Sequence, residues 1–249
     1  MADDAQNGDG LIPLELTAAQ RGMWFAENLS QGYSVNIAQF LDIRDVDKPL
    51  DTSLFVRVAA ETGHDLELAF TRIVDVDGIP RQIVDQSIEN SVRLLDLRHE
   101  SDPEFAARQW MNADYQSETN LLEDRLVESA LIRVADDRHL WYLRAHHIAL
   151  DGYAALTAVR EILERYNAAL RGLEHRSPVG ASLAEIVADD QKYQMSSRRE
   201  SDRAHWAETV QDLPERVTLA RRAATAALVP QNLVAGRQLT AEEQDVLDQ

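Results

Sequence analysis

An α/β fold, a two-layer sandwich of mixed sheet and helices, is what this sequence predicts, and three observations carry the prediction. Two stretches have the pattern of antiparallel hairpins: "DLELAFTRIVDVDGIPRQIV" about Asp77-Gly78, and "RLVESALIRVADDRHLWYLRAHH" about Asp136 and Asp137. Apolar residues then recur at helical spacing, above all Leu156, Val159, Leu163, Tyr166 and Leu170. No glycine-rich strand-to-helix loop is present, which leaves a nucleotide-binding fold without support. Hairpins interleaved with long helices favour layers packed on one core. With 249 residues, 45% of them hydrophobic, the chain is long enough to bury one.

Taken in order, residues 1–10, "MADDAQNGDG", are acidic, small and polar and read as a disordered leader, without the basic start and apolar core of a secretory signal. In "LIPLELTAAQRGMWFAENL", Thr17 caps a short helix whose Met23, Trp24 and Phe25 are expected in a core. "VNIAQFLDI" (35–43) is a strand, and "PLDTSLFVRVAAETG" a helix closed by Gly63. Beyond the first hairpin, "DPEFAARQWMNADYQ" is a helix with Asp102 as its cap and Pro103 at its first position. After the second hairpin the long helix runs from Tyr153 to Arg171 and stops at Gly172. "SLAEIVADDQKYQ" and "RESDRAHWAETVQDL" read as two more helices, the acids of "ADD" (188–190) being solvated surface rather than a metal site. From Pro214 the pattern thins, until "LVAGRQLTAEEQDVLDQ" opens a new strand and helix.

Acidic residues outnumber basic ones 43 to 25, for a net charge of −18. Such a surface repels phosphate backbones, so no nucleic-acid partner is expected. No apolar run approaches the length of a membrane span. Cysteine is absent, which removes disulfides, thiolate nucleophiles and thiolate metal sites, and suits a cytoplasmic location.

The stretch richest in chemistry is "AHHIALDG" (145–152). Side chains alternate along a strand, so Leu140, Tyr142, Arg144 and His146 share one face, and Trp141, Leu143, Ala145 and His147 the other. One histidine can enter a pocket while its neighbour is held behind the sheet. Asp151-Gly152, just before the long helix, has the form of an N-cap and a permissive turn. The same residues suit catalysis. An imidazole can accept or position a proton on an attacking amine or hydroxyl, a nearby aspartate can organise the loop, and a glycine N–H can approach a developing oxyanion.

The H-H-x-x-x-D-G string resembles the signature of the chloramphenicol-acetyltransferase-like superfamily, and within it that of nonribosomal peptide synthetase condensation domains. "LTAAQRGMWFAENL" resembles the first core motif of those domains, and "VDGIPRQIV", "LLDLR" and "DRAHWAE" fall where they carry similar strings. The likeness runs through nearly the whole chain from Leu11. It implies a chloramphenicol-acetyltransferase-like fold forming one lobe of a two-lobe domain. Residues 11–230 would be the N-terminal lobe and 231–249 the truncated start of the second.

The implied reaction joins an acyl or peptidyl thioester on a donor carrier protein to the amine of an aminoacyl thioester on an acceptor carrier protein. His147 would be the catalytic residue facing the tunnel between the lobes. His146 and Asp151 would support it, and Gly152 would lie near the reacting carbonyl. No metal or bound cofactor is implied, since both substrates ride on phosphopantetheine arms of the carrier domains. An adenylation domain and the C-terminal lobe complete the implied partners, in a siderophore-type module. The lobe alone is expected to be inactive and to self-associate through its exposed tunnel wall.

Two departures stand out. Glu67 and Ala69 occupy positions where the family carries arginines, one of which pairs with the motif aspartate, so Asp151 would face a carboxylate. Ala154 replaces a common serine. Two enzymatic alternatives share the histidine motif, an epimerisation domain and a stand-alone acyltransferase. A third alternative is a degenerate, non-catalytic domain that recruits carrier proteins.

Overall fold

In the computed structural model of this chain, residues 11–29, 35–45, 48–67, 70–88, 91–175 and 180–213 are described. The acidic leader, Ala69 and the strand and helix expected after Pro214 lie outside them.

The main sheet has four strands: β2 (Asn36–Arg44), β5 (Arg93–Asp96), β6 (Val127–Ala135) and β7 (Arg138–His146). Their spatial order is β2-β7-β6-β5, antiparallel except for the parallel β6–β5 pair. A smaller antiparallel sheet has the order β1-β4-β3, from β1 (Leu14–Glu15), β3 (Thr71–Val76) and β4 (Ile79–Val84). Six helices accompany them: α1 (Ala18–Leu29), α2 (Thr52–Asp65), α3 (Pro103–Tyr115), α4 (Gly152–Leu170), α5 (Leu183–Gln194) and α6 (Ser197–Thr209). Mixed sheet and helices form the expected α/β sandwich.

Both predicted hairpins are present. Asp77 and Gly78 have φ values of 55° and 80°, the doubly left-handed turn whose twist suits a two-residue β-hairpin. Alternation along β7 divides its side chains as the sequence indicates. Trp141 packs with Phe55 and Val58 of α2 and Val159, Ile162 and Tyr166 of α4, and the Phe55 and Trp141 rings meet edge to face at 5.0 Å. Leu140 and Tyr142 point the other way, against Ala107 and Met111 of α3. One face of the sheet thus carries α2 and α4, and the other carries α3.

Helix starts follow their caps: Asp51, Asp102, Asp151, Ser182 and Ser196 each accept a backbone N–H of the first turn. Helix ends and faces were harder to place. Gly63 lies inside α2, which ends two residues later and is closed by Glu67 in a left-handed conformation (φ 55°). Strand β3 accordingly begins only at Thr71, so Glu67 stands in a turn rather than a strand. Phe25 is 65% exposed, while Met23 and Trp24 do pack against Leu16, Ile73 and Ile148. On α4 the buried stripe is Ala155, Ala158, Val159, Ile162 and Tyr166, and Leu156 and Leu170 face outward. Val159 and Tyr166 of the expected stripe are buried, and Ala155, Ala158 and Ile162 complete the buried side.

Candidate active site

Strand β7 ends at His146, and His147 stands in the turn that follows, so the two histidines part company at the strand end. The N–H of Ala149 donates to the carbonyl of His146 and closes that turn, while the N–H of His147 donates to Val35 and adds one rung beside β2.

His146 is fully buried. Its Nδ1 accepts the N–H of Ile148 at 3.1 Å, which leaves Nε2 to carry the proton of the neutral ring. Nε2 lies 3.3 Å from Glu27 Oε2, too poorly aligned to count as a hydrogen bond. Burial pushes the His146 imidazole below its ordinary value, and the Glu27 carboxylate opposes that shift.

His147 is half-buried and lines a cavity of about 300 Å³ together with Gln20, Glu67, Asp151, Ala154 and Leu183. Its ring makes no hydrogen bond to any described residue and is available to a ligand. Three helices begin at this cavity: α1 at Thr17, α4 at Asp151 and α5 at Ser182. Their N-termini carry partial positive charge, and each is met by a carboxylate. Asp151 Oδ1 accepts from Ala154, Glu67 Oε2 from Leu183, and Asp190 Oδ2 from Ala18. Glu67 and Asp151 therefore line one cavity while each holds the start of a different helix. Of the acids read as solvated surface, Asp190 is half-buried and caps α1, whereas Asp189 is exposed.

Gly152 is the first residue of α4, with no positive φ and no atom within 4 Å of where a Cβ would stand. Among the described residues one group has metal-ligand spacing, Glu161, Glu164 and His175. It shares no residue with the cavity, and Arg165 and Arg160 occupy its carboxylates at 2.7 Å each. Its carboxylates are engaged in ion pairs, Glu161 with the partly buried Arg165 and Glu164 with the exposed Arg160.

Sequence reasoning missed the polar contacts of α1. Gln20 uses all four hydrogen-bonding positions of its amide. Its Nε2 donates to Gln82 Oε1 (2.8 Å) and to the carbonyl of Ile148 (3.1 Å). Its Oε1 accepts from the N–H of Thr17 (2.9 Å) and from Gln82 Nε2 (2.8 Å). The T-x-x-Q spacing of a capping box was the available signal for the Thr17 contact; nothing local signals Gln82 or Ile148.

The turn presents one histidine to a cavity while its neighbour is locked behind the sheet, the division expected from the H-H-x-x-x-D-G string. The family model described as "Condensation domain" matches residues 13–249, and the chain belongs to that family. It is 33% identical over 214 residues to a dimodular nonribosomal peptide synthase of Bacillus subtilis (strain 168), covering 85% of this chain and 9% of that protein. To enterobactin synthase component F of Escherichia coli O157:H7 it is 34% identical over 209 residues, covering 83% of this chain and 16% of the other. Among solved structures, a variant of the starter condensation domain of rhizomide synthetase in complex with C8-CoA superposes with a TM-score of 0.78 at 32% identity. That match covers 85% of this chain and 48% of the solved one, so the chain spans about half of that domain and corresponds to a partial lobe.

Proposed function

We propose that this lobe serves a condensation domain that forms amide bonds between carrier-bound thioesters, with His147 as the catalytic residue. The acceptor amine attacks the donor carbonyl carbon, a C–N bond forms, the C–S bond breaks, and the proton lost by nitrogen ends on the departing thiol. His147 holds or receives that proton; His146, Asp151 and Gly152 support the turn and the start of α4. The observation that carries this reading is the half-buried His147 ring, unengaged by any described residue and facing a cavity of about 300 Å³.

The remaining parts of the reading follow from the family. Residues 11–230 correspond to the N-terminal lobe and 231–249 to the start of the second. Donor and acceptor carrier domains bring the substrates on phosphopantetheine arms, beside an adenylation domain, in the cytoplasm. No described helix is long and apolar enough to cross a membrane. The lobe alone is inactive and self-associates.

The test is His147→Ala in the two-lobe enzyme, with carrier-bound products followed by mass spectrometry. Turnover is expected to fall by about 10²-fold or more; wild-type turnover overturns the role. Glu67 at a family arginine position favours one second reading, a lobe that recruits carriers without chemistry. Carrier binding without coupled product in the unmodified two-lobe enzyme would select it.

A further inference from the structure

We infer that α1 is the positioning element of the His147 turn: Gln20 binds the Ile148 carbonyl, Glu27 faces the imidazole that accepts the Ile148 N–H, and together they set where the His147 ring stands. The inference rests on the catalytic reading of His147 and adds two residues to it.

Gln20 and Glu27 are seven residues apart, two turns along the same face of one helix, about 10 Å of axis. Gln20 reaches one side of the turn directly, donating to the carbonyl of Ile148. Its amide cannot rotate end for end without setting its NH₂ against the Thr17 N–H and its oxygen against the Ile148 carbonyl, so the donor is locked in place. Gln82, fully buried on β4, completes the lock with a reciprocal amide pair and spends its remaining N–H on the carbonyl of Glu15.

Glu27 reaches the other side through His146. Its carboxylate faces Nε2, the nitrogen that carries the proton, and leaves Nδ1 bare to accept the Ile148 N–H. Glu27 also accepts the N–H of Val35, whose carbonyl receives the His147 N–H. The peptide group before His147 is thereby tied to α1 through Val35, and the one after it is held by His146, whose other ring nitrogen faces Glu27 at 3.3 Å.

The apolar contacts of α1 run through Met23 and Trp24, which pack against Leu16, Ile73 and Ile148. None of its residues is fully buried, and Phe25 and Leu29 face outward. Its polar contacts are more than anchors for the helix: they end on the turn that carries the candidate catalytic ring. Misplacing a reacting group by about 1 Å can cost on the order of 10²-fold in rate.

The experiment uses the intact two-lobe enzyme and reads kcat and the acceptor-carrier KM separately. Gln20→Met and Glu27→Met are expected to lower kcat about ten- to a hundred-fold with KM unchanged. Glu27→Gln, which restores an acceptor for Nε2–H, should recover most of the Glu27→Met loss; packing alone would not predict that recovery. Wild-type kcat in both methionine variants, with His147→Ala inactive, overturns the positioning role and leaves the catalytic reading intact. An active His147→Ala overturns both. If the methionine variants do not fold, the His146 tautomer in the unmodified protein decides. Nitrogen-15 NMR should find the proton on Nε2, and a proton on Nδ1 overturns the inference.

Discussion

Helix α3 is fastened to β7 by ionic groups at both of its ends, and the two fastenings differ in kind. At its start, Glu104 accepts from Arg138 at 2.7 Å, and Arg138 also grips Asp42 with two bonds of 2.9 Å. At its finish, Asp114 accepts from Arg144 Nε at 2.7 Å and from the Tyr142 hydroxyl at 2.9 Å. Bond counts and lengths would rank the ends alike. Burial does not: the Arg144 side chain is 8% exposed and Asp114 21%, against 20% for Arg138, 32% for Asp42 and 39% for Glu104. Water and salt can replace the contacts at the Arg138 end, whereas the Arg144 end must satisfy itself. That inner end is the one continuous with His146 and the turn of His147.

Removing Asp114 is therefore the strongest way to break the comparison. Asp114→Ala leaves Arg144 buried with only Asn36 Oδ1 and Thr119 Oγ1, at 3.5 and 3.3 Å, and orphans the Tyr142 hydroxyl. Urea unfolding should register a loss of about 3 kcal/mol or more. A loss of less than about 1 kcal/mol would put both ends on the same footing.

The sequence revealed the parts of this arrangement that are encoded locally. Asp77-Gly78 announces its turn because few other pairs accept φ > 0 twice, and Asp102-Pro103 announces a helix start because proline needs no N–H partner there. Alternation along β7 separated Trp141 from Tyr142 for the same reason, since it depends on neighbours only, whereas the two histidines part because the strand ends at His146. Gln82, Glu27 and Asp190 were not legible, since each acts on a residue far away in sequence: Gln20, His146 and Ala18. Glu67 misled in a different way. Glycine is the expected closer of α2, and Gly63 was at hand, yet the chain turns at a glutamate whose carboxylate is held by Leu183. On α4 the helical spacing identified the buried Val159 and Tyr166, but Leu156 and Leu170 at the same spacing face outward and Ala155, Ala158 and Ile162 complete the buried side.

A pH titration sharpens the comparison next, with an effect expected to be smaller than the Asp114 loss. Strand β7 buries a histidine at each end, His139 and His146, and burial holds both imidazoles below their ordinary value. The unfolded chain therefore binds more protons than the folded one below the free-histidine value of about 6.5, so stability falls as pH drops through that region. Carboxylates held low by arginines act only from about pH 4 downward, which keeps the two windows apart. Urea midpoints should fall between pH 7 and pH 5. His139→Asn and His146→Asn should each remove part of that fall, showing that the outer end also contains one group that solvent does not relieve. A midpoint that rises on acidification would reverse the sign and remove burial as the cause.

The smallest expected effect belongs to the outer ion pairs themselves. Arg138→Met keeps the aliphatic stem against the sheet and deletes only the guanidinium. It should cost less than about 1 kcal/mol, and the difference from the unmodified chain should shrink in 1 M salt, on the order of a 3 Å screening length. The local electrostatics should nevertheless change plainly. Arg138's hydrogen bonds, more than those of Arg44, hold the Asp42 carboxyl down to about 2. A depressed carboxylate stabilises the fold above its unfolded value and loses that contribution as pH falls through the folded one. Without Arg138, Asp42 should titrate closer to an ordinary aspartate, and carbon-13 NMR of its carboxyl can follow the shift directly. A displaced Asp42 titration with almost unchanged stability is the result that separates the two ends of α3. An equally large change in both would mean that the Arg138 end, despite its exposure, is as closed to solvent as the Arg144 end.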